Sequence, residues 1–186
     1  MELMDGILTR RSIGRVKPEA VDKELIAKVL EAAVWAPNHR HTEPWRFVVM
    51  TGDGRGRLGD AYADIYRLEH PDADEESVRK QRAKAFRAPV VAAACCSPSG
   101  AKGVIELEEY AAVYAGIQNM LLDAHSLGLG AIWRTGEPAY HPRMNEAFGL
   151  GEQDRVLGLI YIGWPDMEPP KAVRTPAAER TVWIEE

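Results

Sequence analysis

Residues Glu106 to Pro138 read ELEEYAAVYAGIQNMLLDAHSLGLGAIWRTGEP, and the change of period inside this stretch decides the fold class. From Glu106 to Leu127 the apolar residues recur at helical spacing. Leu107, Tyr110, Tyr114, Ile117, Leu121 and Ala124 form one stripe, which Ala111, Val113, Met120 and Leu122 widen. A helix that is apolar nearly all round must be buried, either in a core larger than this chain easily provides or in a subunit interface, and the second favours a homodimer. Gly128-Leu129-Gly130 stops it. Ala131-Ile132-Trp133-Arg134 then reads as a short strand ending in a bulky ring, a fixed cation, the Thr135 hydroxyl and the flexible Gly136.

Working outward, Pro89 to Cys96 is a nearly continuous apolar run, the pattern of a strand covered on both faces. Val156 to Gly163 is a second such run, and Trp45 to Met50 a third strand, closed by Thr51-Gly52-Asp53-Gly54. Short helices are expected at Met1–Thr9 and Pro142–Phe148. A longer one carries Leu25, Ile26, Val29, Leu30, Ala33 and Val34 on one face, with start signals at Pro18 and Asp22 and a stop at Pro37. Arg57 to Arg87 is charged, helical and poor in large apolar residues, interrupted at His70-Pro71-Asp72, and reads as solvent-facing helices forming a lid. The tail from Trp164 is rich in Pro and charge until Thr181-Val182-Trp183-Ile184, an isolated last strand suited to pairing with another subunit.

At 186 residues, with 46% apolar and 27% charged residues, the chain has the composition of one ordinary globular domain spanning 1–186. Its longest apolar run is far short of the roughly 20 residues that span a bilayer. The N-terminus has acidic residues where a secretory signal is basic, which gives a cytoplasmic reading. A formal net charge of -5 offers no general attraction to nucleic acid, so any bound anion must be held locally. The adjacent Cys95 and Cys96 suit core packing better than a disulfide or a metal site. Nucleophile-elbow, Walker and dinucleotide fingerprints do not appear.

Three places concentrate chemistry. Thr9-Arg10-Arg11-Ser12 offers forked donors to a phosphate, or is a solvated basic helix end. Ala36 to Phe47, APNHRHTEPWRF, puts His39, Arg40 and His41 in a loop between helix and strand without the ligand spacing of a metal site. It is either a polar loop beside a binding cleft or a set of exposed histidines. Trp133-Arg134-Thr135-Gly136 either walls a flat ligand or is a core ring followed by a turn.

In their order, TRRS, APNHRHTEPWRF and GLGAIWRTGEP resemble the FMN-dependent nitroreductase family, and more narrowly its short members, whose second and third motifs read APxHxxxxPW and IWR[ST]G. The resemblance covers essentially the whole chain. It implies an α+β fold, a three-layer α/β/α sandwich with a mixed, mostly antiparallel sheet. It also implies an interlocked homodimer with C-terminal strand exchange and FMN at the interface. Arg10, Arg11 and Ser12 would bind the FMN phosphate and adjoining groups, and His39 would reach the flavin from the partner subunit. Trp133, Arg134 and Thr135 would lie along the isoalloxazine and phosphate side. Trp35 stands where short relatives carry a basic FMN contact, so an aromatic would pack there instead. Glu43 replaces a common glutamine and takes no flavin contact, while Lys171 and Arg174 loosely match basic residues that complete the phosphate site in longer members.

The implied activity is ping-pong transfer from NADH or NADPH through FMN to nitroaromatics, quinones or related conjugated acceptors, with no metal and no catalytic side chain required. The alternatives are an FMN enzyme with one specific reduction or dehydrogenation substrate, and a non-catalytic flavin-binding protein.

Overall fold

A computed structural model, which describes residues 1–185, sets one antiparallel sheet between two helical layers. In chain order the elements are α1 (Leu3–Thr9), α2 (Lys23–Val34), β1 (Trp45–Thr51), α3 (Gly56–Glu69), α4 (Glu75–Ala83), β2 (Val90–Cys96), α5 (Glu106–Ser126), β3 (Gly130–Arg134), α6 (Glu137–Tyr140), α7 (Pro142–Phe148) and β4 (Arg155–Gly163). The strand order is β1-β2-β4-β3, so the two most apolar strands are central and β3 is an edge.

Period-two alternation divides the core. On β2, Val90, Ala92, Ala94 and Cys96 face α2 and α5, while Val91, Ala93 and Cys95 face α3 and α7. The neighbouring cysteines therefore lie on opposite faces, and burial pushes both thiols up to about 12, as expected of packing residues. Ile117 and Met120 of α5 are fully buried against the sheet, each contributing about 2 kcal/mol by leaving water. Helices α2 and α5 approach so closely that a Cβ on Gly116 would lie 2.9 Å from the Ala33 carbonyl oxygen.

The register shifts between Ala94 and Cys95, where Leu157 of β4 is the extra residue, and this bulge turns both Leu157 and Gly158 out of strict alternation. Trp133 lies across Gly158 at this bulge.

One expectation needs correction. The Arg57–Arg87 segment is not simply a solvent-facing lid: Leu58, Ala61 and Ile65 of α3 are buried, and the helix covers the second face of the sheet. The chain packs it with small residues, so its hydrophobicity is low although its contact is close. A Cβ on Gly59 would meet the Arg82 carbonyl at 2.9 Å. Within the single chain, Thr181–Ile184 pairs with no described strand, and Trp183 stands 80% exposed.

Exposed apolar side chains also mark α1 (Leu3, Met4, Leu8), the end of α2 (Trp35) and the outer side of α5 (Leu107, Tyr114). Leu107 thus leaves the stripe it shares in sequence with the buried Ile117 and Leu121. No described helix is long and apolar enough to cross a membrane.

Candidate functional site

After α1 the chain runs beside the edge strand β3. Ile13 N–H donates to Ala131 O at 3.0 Å, Lys17 N–H to Trp164 O at 2.8 Å, and Val16 bridges Pro165. Glycines permit this approach: a Cβ on Gly130 would meet Ile13 at 2.8 Å, and one on Gly163 would meet Val16 at 2.8 Å. The first and third sequence motifs are thereby laid side by side, with Gly14 against the Arg134 guanidinium.

Two cationic pockets result. The first, about 710 Å³, is lined by Arg10, Arg11, His125, Leu121, Leu129 and Met167 among others. Arg10 Nη1 is buried with no hydrogen-bond partner. Burial first, then Arg11 and Arg174, hold the Arg10 guanidinium below its ordinary pKa, so Arg174 of the tail joins this cluster. Arg11 is otherwise employed: it donates to the carbonyls of Leu8 (2.8 Å), Arg10 (2.7 Å) and Pro170 (3.2 Å), tying off the end of α1. His125 Nε2 lies 3.0 Å from Thr9 Oγ1, and burial, Arg10 and Arg11 all depress its pKa. Ser12 is exposed.

The second pocket, about 380 Å³, is lined by Trp133, Arg134 and Thr135 together with Tyr62, Lys84, Arg87 and Tyr161. Arg134 lies over the Tyr161 ring at 5.4 Å, and its Nε is buried without a partner. The hydroxyls of Tyr62 and Tyr161 are 3.4 Å apart. Burial raises both tyrosines, while burial, Arg87 and Arg134 lower Lys84. Among the described residues no carboxylate pairs with Arg10, Lys84, Arg87, Arg134 or Arg174. In a chain of net charge -5, Arg10 and Arg134 thus keep no carboxylate partner, although Asp166, paired with Arg15, and Glu168 also line the first pocket, and such unpaired cations hold an anion locally.

Trp133 is fixed by the bulge. Its Nε1 donates to Leu157 O at 3.3 Å, and the indole lies so close over Gly158 that a Cβ there would fall 1.9 Å from Nε1. Its ring also meets Tyr114 at 5.6 Å.

The middle motif lies elsewhere. Trp35 ends α2, donates to Glu31 at 3.1 Å and is 79% exposed over an apolar groove with Leu3, Ala32 and Leu122. His39 Nδ1 meets Glu108 Oε2 at 2.6 Å, at the N-terminal end of α5. His125, beside Arg10, is at the other end of that helix, about 25 Å away at 1.5 Å per residue. Within one chain, then, Arg10 and Arg11 line the first pocket and Trp133, Arg134 and Thr135 the second, with Ile13 and Gly14 against β3 between them, while Ser12 lines neither and Trp35 and His39 lie elsewhere.

The nitroreductase family model matches residues 7–164. The chain belongs to the nitroreductase family. Its relatives in that family include YfhC of Bacillus subtilis (strain 168), provisionally named an NAD(P)H nitroreductase, which is 34% identical over 96% of this chain and 92% of that protein. The crystal structure of a nitroreductase-like family protein from Bacillus cereus superposes with a TM-score of 0.89 at 32% identity, covering 100% of this chain and 97% of that one. A provisionally described nitroreductase from Desulfovibrio desulfuricans, crystallised in complex with FMN, gives a TM-score of 0.76 at 28% identity over 100% and 98% of the two chains.

For a nitroreductase-family chain, the sequence motifs locate one wall of the site and miss the other. Tyr62, Lys84, Arg87 and Tyr161 reach Arg134 from α3, the end of the α4 region and β4, between 27 and 72 residues away in sequence. The only local signal was the basic content of Arg79 to Arg87, which looks the same as a solvated helix face.

Proposed function

We propose that the chain is an FMN-dependent oxidoreductase that works as a homodimer, with residues 1–186 forming one flavin-binding domain in the cytoplasm. The observation that carries this reading is the pair of buried guanidinium nitrogens without partners, Arg10 Nη1 and Arg134 Nε. An unsatisfied buried donor costs about 1–3 kcal/mol, more when charged, so such groups persist where a ligand completes them. A molecule with a phosphate at one end and a ring bearing hydrogen-bond-accepting nitrogens and carbonyl oxygens at the other fits this donor set, and FMN is such a molecule.

Arg10, Ser12 and Arg174 would hold the phosphate, with Arg11 contributing field more than hydrogen bonds because its donors are occupied. Trp133 would wall the ring. Arg134, Lys84 and Arg87 place fixed positive charge where negative charge must be stabilised during reduction, a preorganised electrostatic role. FMN held there would supply hydride uptake from NADH or NADPH and delivery of the electrons to a nitroaromatic, quinone or related conjugated acceptor. The family membership and the FMN complex of the Desulfovibrio relative support the cofactor.

The 25 Å separation along α5 supports a site built from two chains, since no single FMN touches Arg10 and His39 of the same chain. The exposed Leu3, Trp35, Leu107 and Tyr114, with Val182, Trp183 and Ile184 of the tail, supply the apolar surface that a second copy would cover. Hybrid dimers test this. Arg10→Ala and His39→Ala chains, each binding flavin weakly alone, are expected to recover tight binding at one of the two sites when co-expressed. That site takes Arg10 from one chain and His39 from the other. Hybrids that bind no better than either parent would contradict a shared site.

A further inference from the structure

We propose that Glu108 is the positioning residue of His39, and that Asn38 presets the loop that carries both the imidazole and its approach to the partner's flavin. The inference rests on the two-chain flavin site proposed above, adds Glu108, which neither the motifs nor the pockets include, and gives Asn38 of the middle motif a role.

The geometry is specific. Arg40, His41 and Glu43 all have positive φ (66°, 51° and 49°), a left-handed conformation that costs non-glycine residues and persists only when the surroundings impose it. Asn38 imposes it locally: its Oδ1 accepts from Glu43 N–H at 2.7 Å, and its Nδ2 donates to His39 O at 3.3 Å and to Thr42 Oγ1 at 3.4 Å. Glu108 then anchors the loop to α5 across 69 residues of sequence, accepting from His39 Nδ1 at 2.6 Å. A carboxylate only accepts, so Nδ1 carries the proton and Nε2 is the nitrogen left to meet a ligand.

Neither side chain of the pair is buried (58% and 40% exposed), and a surface pair of this kind contributes little to stability. A short contact with little stabilising value, at the end of a strained loop, is what a device for aiming a side chain requires. The neighbouring Glu109 serves a separate purpose, accepting from Ser99 N–H at 3.1 Å on both oxygens to hold the next loop.

The test is a double-mutant cycle on the FMN-loaded dimer, read by FMN affinity and by the visible absorption spectrum of the bound flavin. His39→Ala is expected to bind FMN roughly tenfold more weakly and to shift the flavin bands. Glu108→Ala should weaken binding several-fold with a spectral shift in the same sense, and the double variant should be no weaker than His39→Ala. Glu108→Gln, whose amide oxygen still accepts from Nδ1, should restore most of the loss while a general effect on the helix would not discriminate. Thermal unfolding of all variants should stay close to the unmodified chain. If His39→Ala weakens binding but Glu108→Ala leaves affinity and spectrum unchanged, or if the two losses add, the positioning role is overturned and the flavin assignment stands. If His39→Ala changes nothing while the unmodified chain holds FMN, the assignment of His39 to the flavin falls and the positioning role falls with it.

Discussion

In a fluorescence titration, Arg10→Ala is expected to bind FMN about 100-fold more weakly than the unmodified chain, because a charged, pre-oriented donor to a phosphate contributes about 3 kcal/mol. Arg10 has already met the cost of burial: its Nη1 is enclosed without a partner, and Arg11 and Arg174 add like-charge repulsion. Removing it relieves the empty pocket and deprives the filled one. The apo dimer should therefore unfold at an equal or slightly higher temperature while flavin affinity collapses. Arg11→Ala should behave in the opposite way. Three backbone carbonyls depend on Arg11, so its loss should loosen the end of α1 by about 1 kcal/mol and change flavin binding by only a few-fold. Equal effects of the two substitutions would contradict this division of labour.

Gly158→Ala is expected to be the most damaging single-methyl change near the site. The added carbon would stand 1.9 Å from Trp133 Nε1, and the indole is held between β4 and Tyr114. Relief requires the ring to swing away and give up its hydrogen bond to Leu157. Overpacking of this kind costs about 1–3 kcal/mol, and loss of the bond about 1 more. Denaturant unfolding should show the loss, with a change in intrinsic tryptophan fluorescence and weaker FMN binding. The cause can be isolated because it needs both residues: in a Trp133→Ala background the Gly158→Ala change should be nearly free. A full, additive loss in that background would assign the glycine a role unrelated to the ring.

How much of this was legible depended on whether the signal was local. The central strands and α5 announced themselves because two-sided burial writes long apolar runs and helical stripes into adjacent residues. The TRRS and WRTG motifs were legible as motifs, and of the glycines that let them lie together Gly130 opens the strand that carries the second, while Gly163 stands apart at the end of β4. Helix α3 was misjudged because Ala61, Ala63 and Gly59 achieve burial by close approach, which hydrophobicity of large side chains does not register. Lys84, Arg87, Tyr62 and Tyr161 were invisible as a site because only the sheet and the helix above it bring them to Arg134. Glu108 was hidden among the acids that open a helix, where negative charge is favoured for its own reasons. Val182, Trp183 and Ile184 are exposed and pair with no described strand of the single chain, so their apolar run is legible in the sequence while any partner for it is not.

The central claim, that these two cationic pockets hold a flavin which turns over with a nicotinamide, is tested most directly by anaerobic titration of the FMN-loaded protein with NADPH and, separately, NADH. The account predicts that FMN stays with the protein through removal of excess ligand, that at least one reductant bleaches its visible bands, and that addition of a quinone or nitroaromatic restores them. Failure to retain FMN, or retention without bleaching by either nicotinamide, would contradict it.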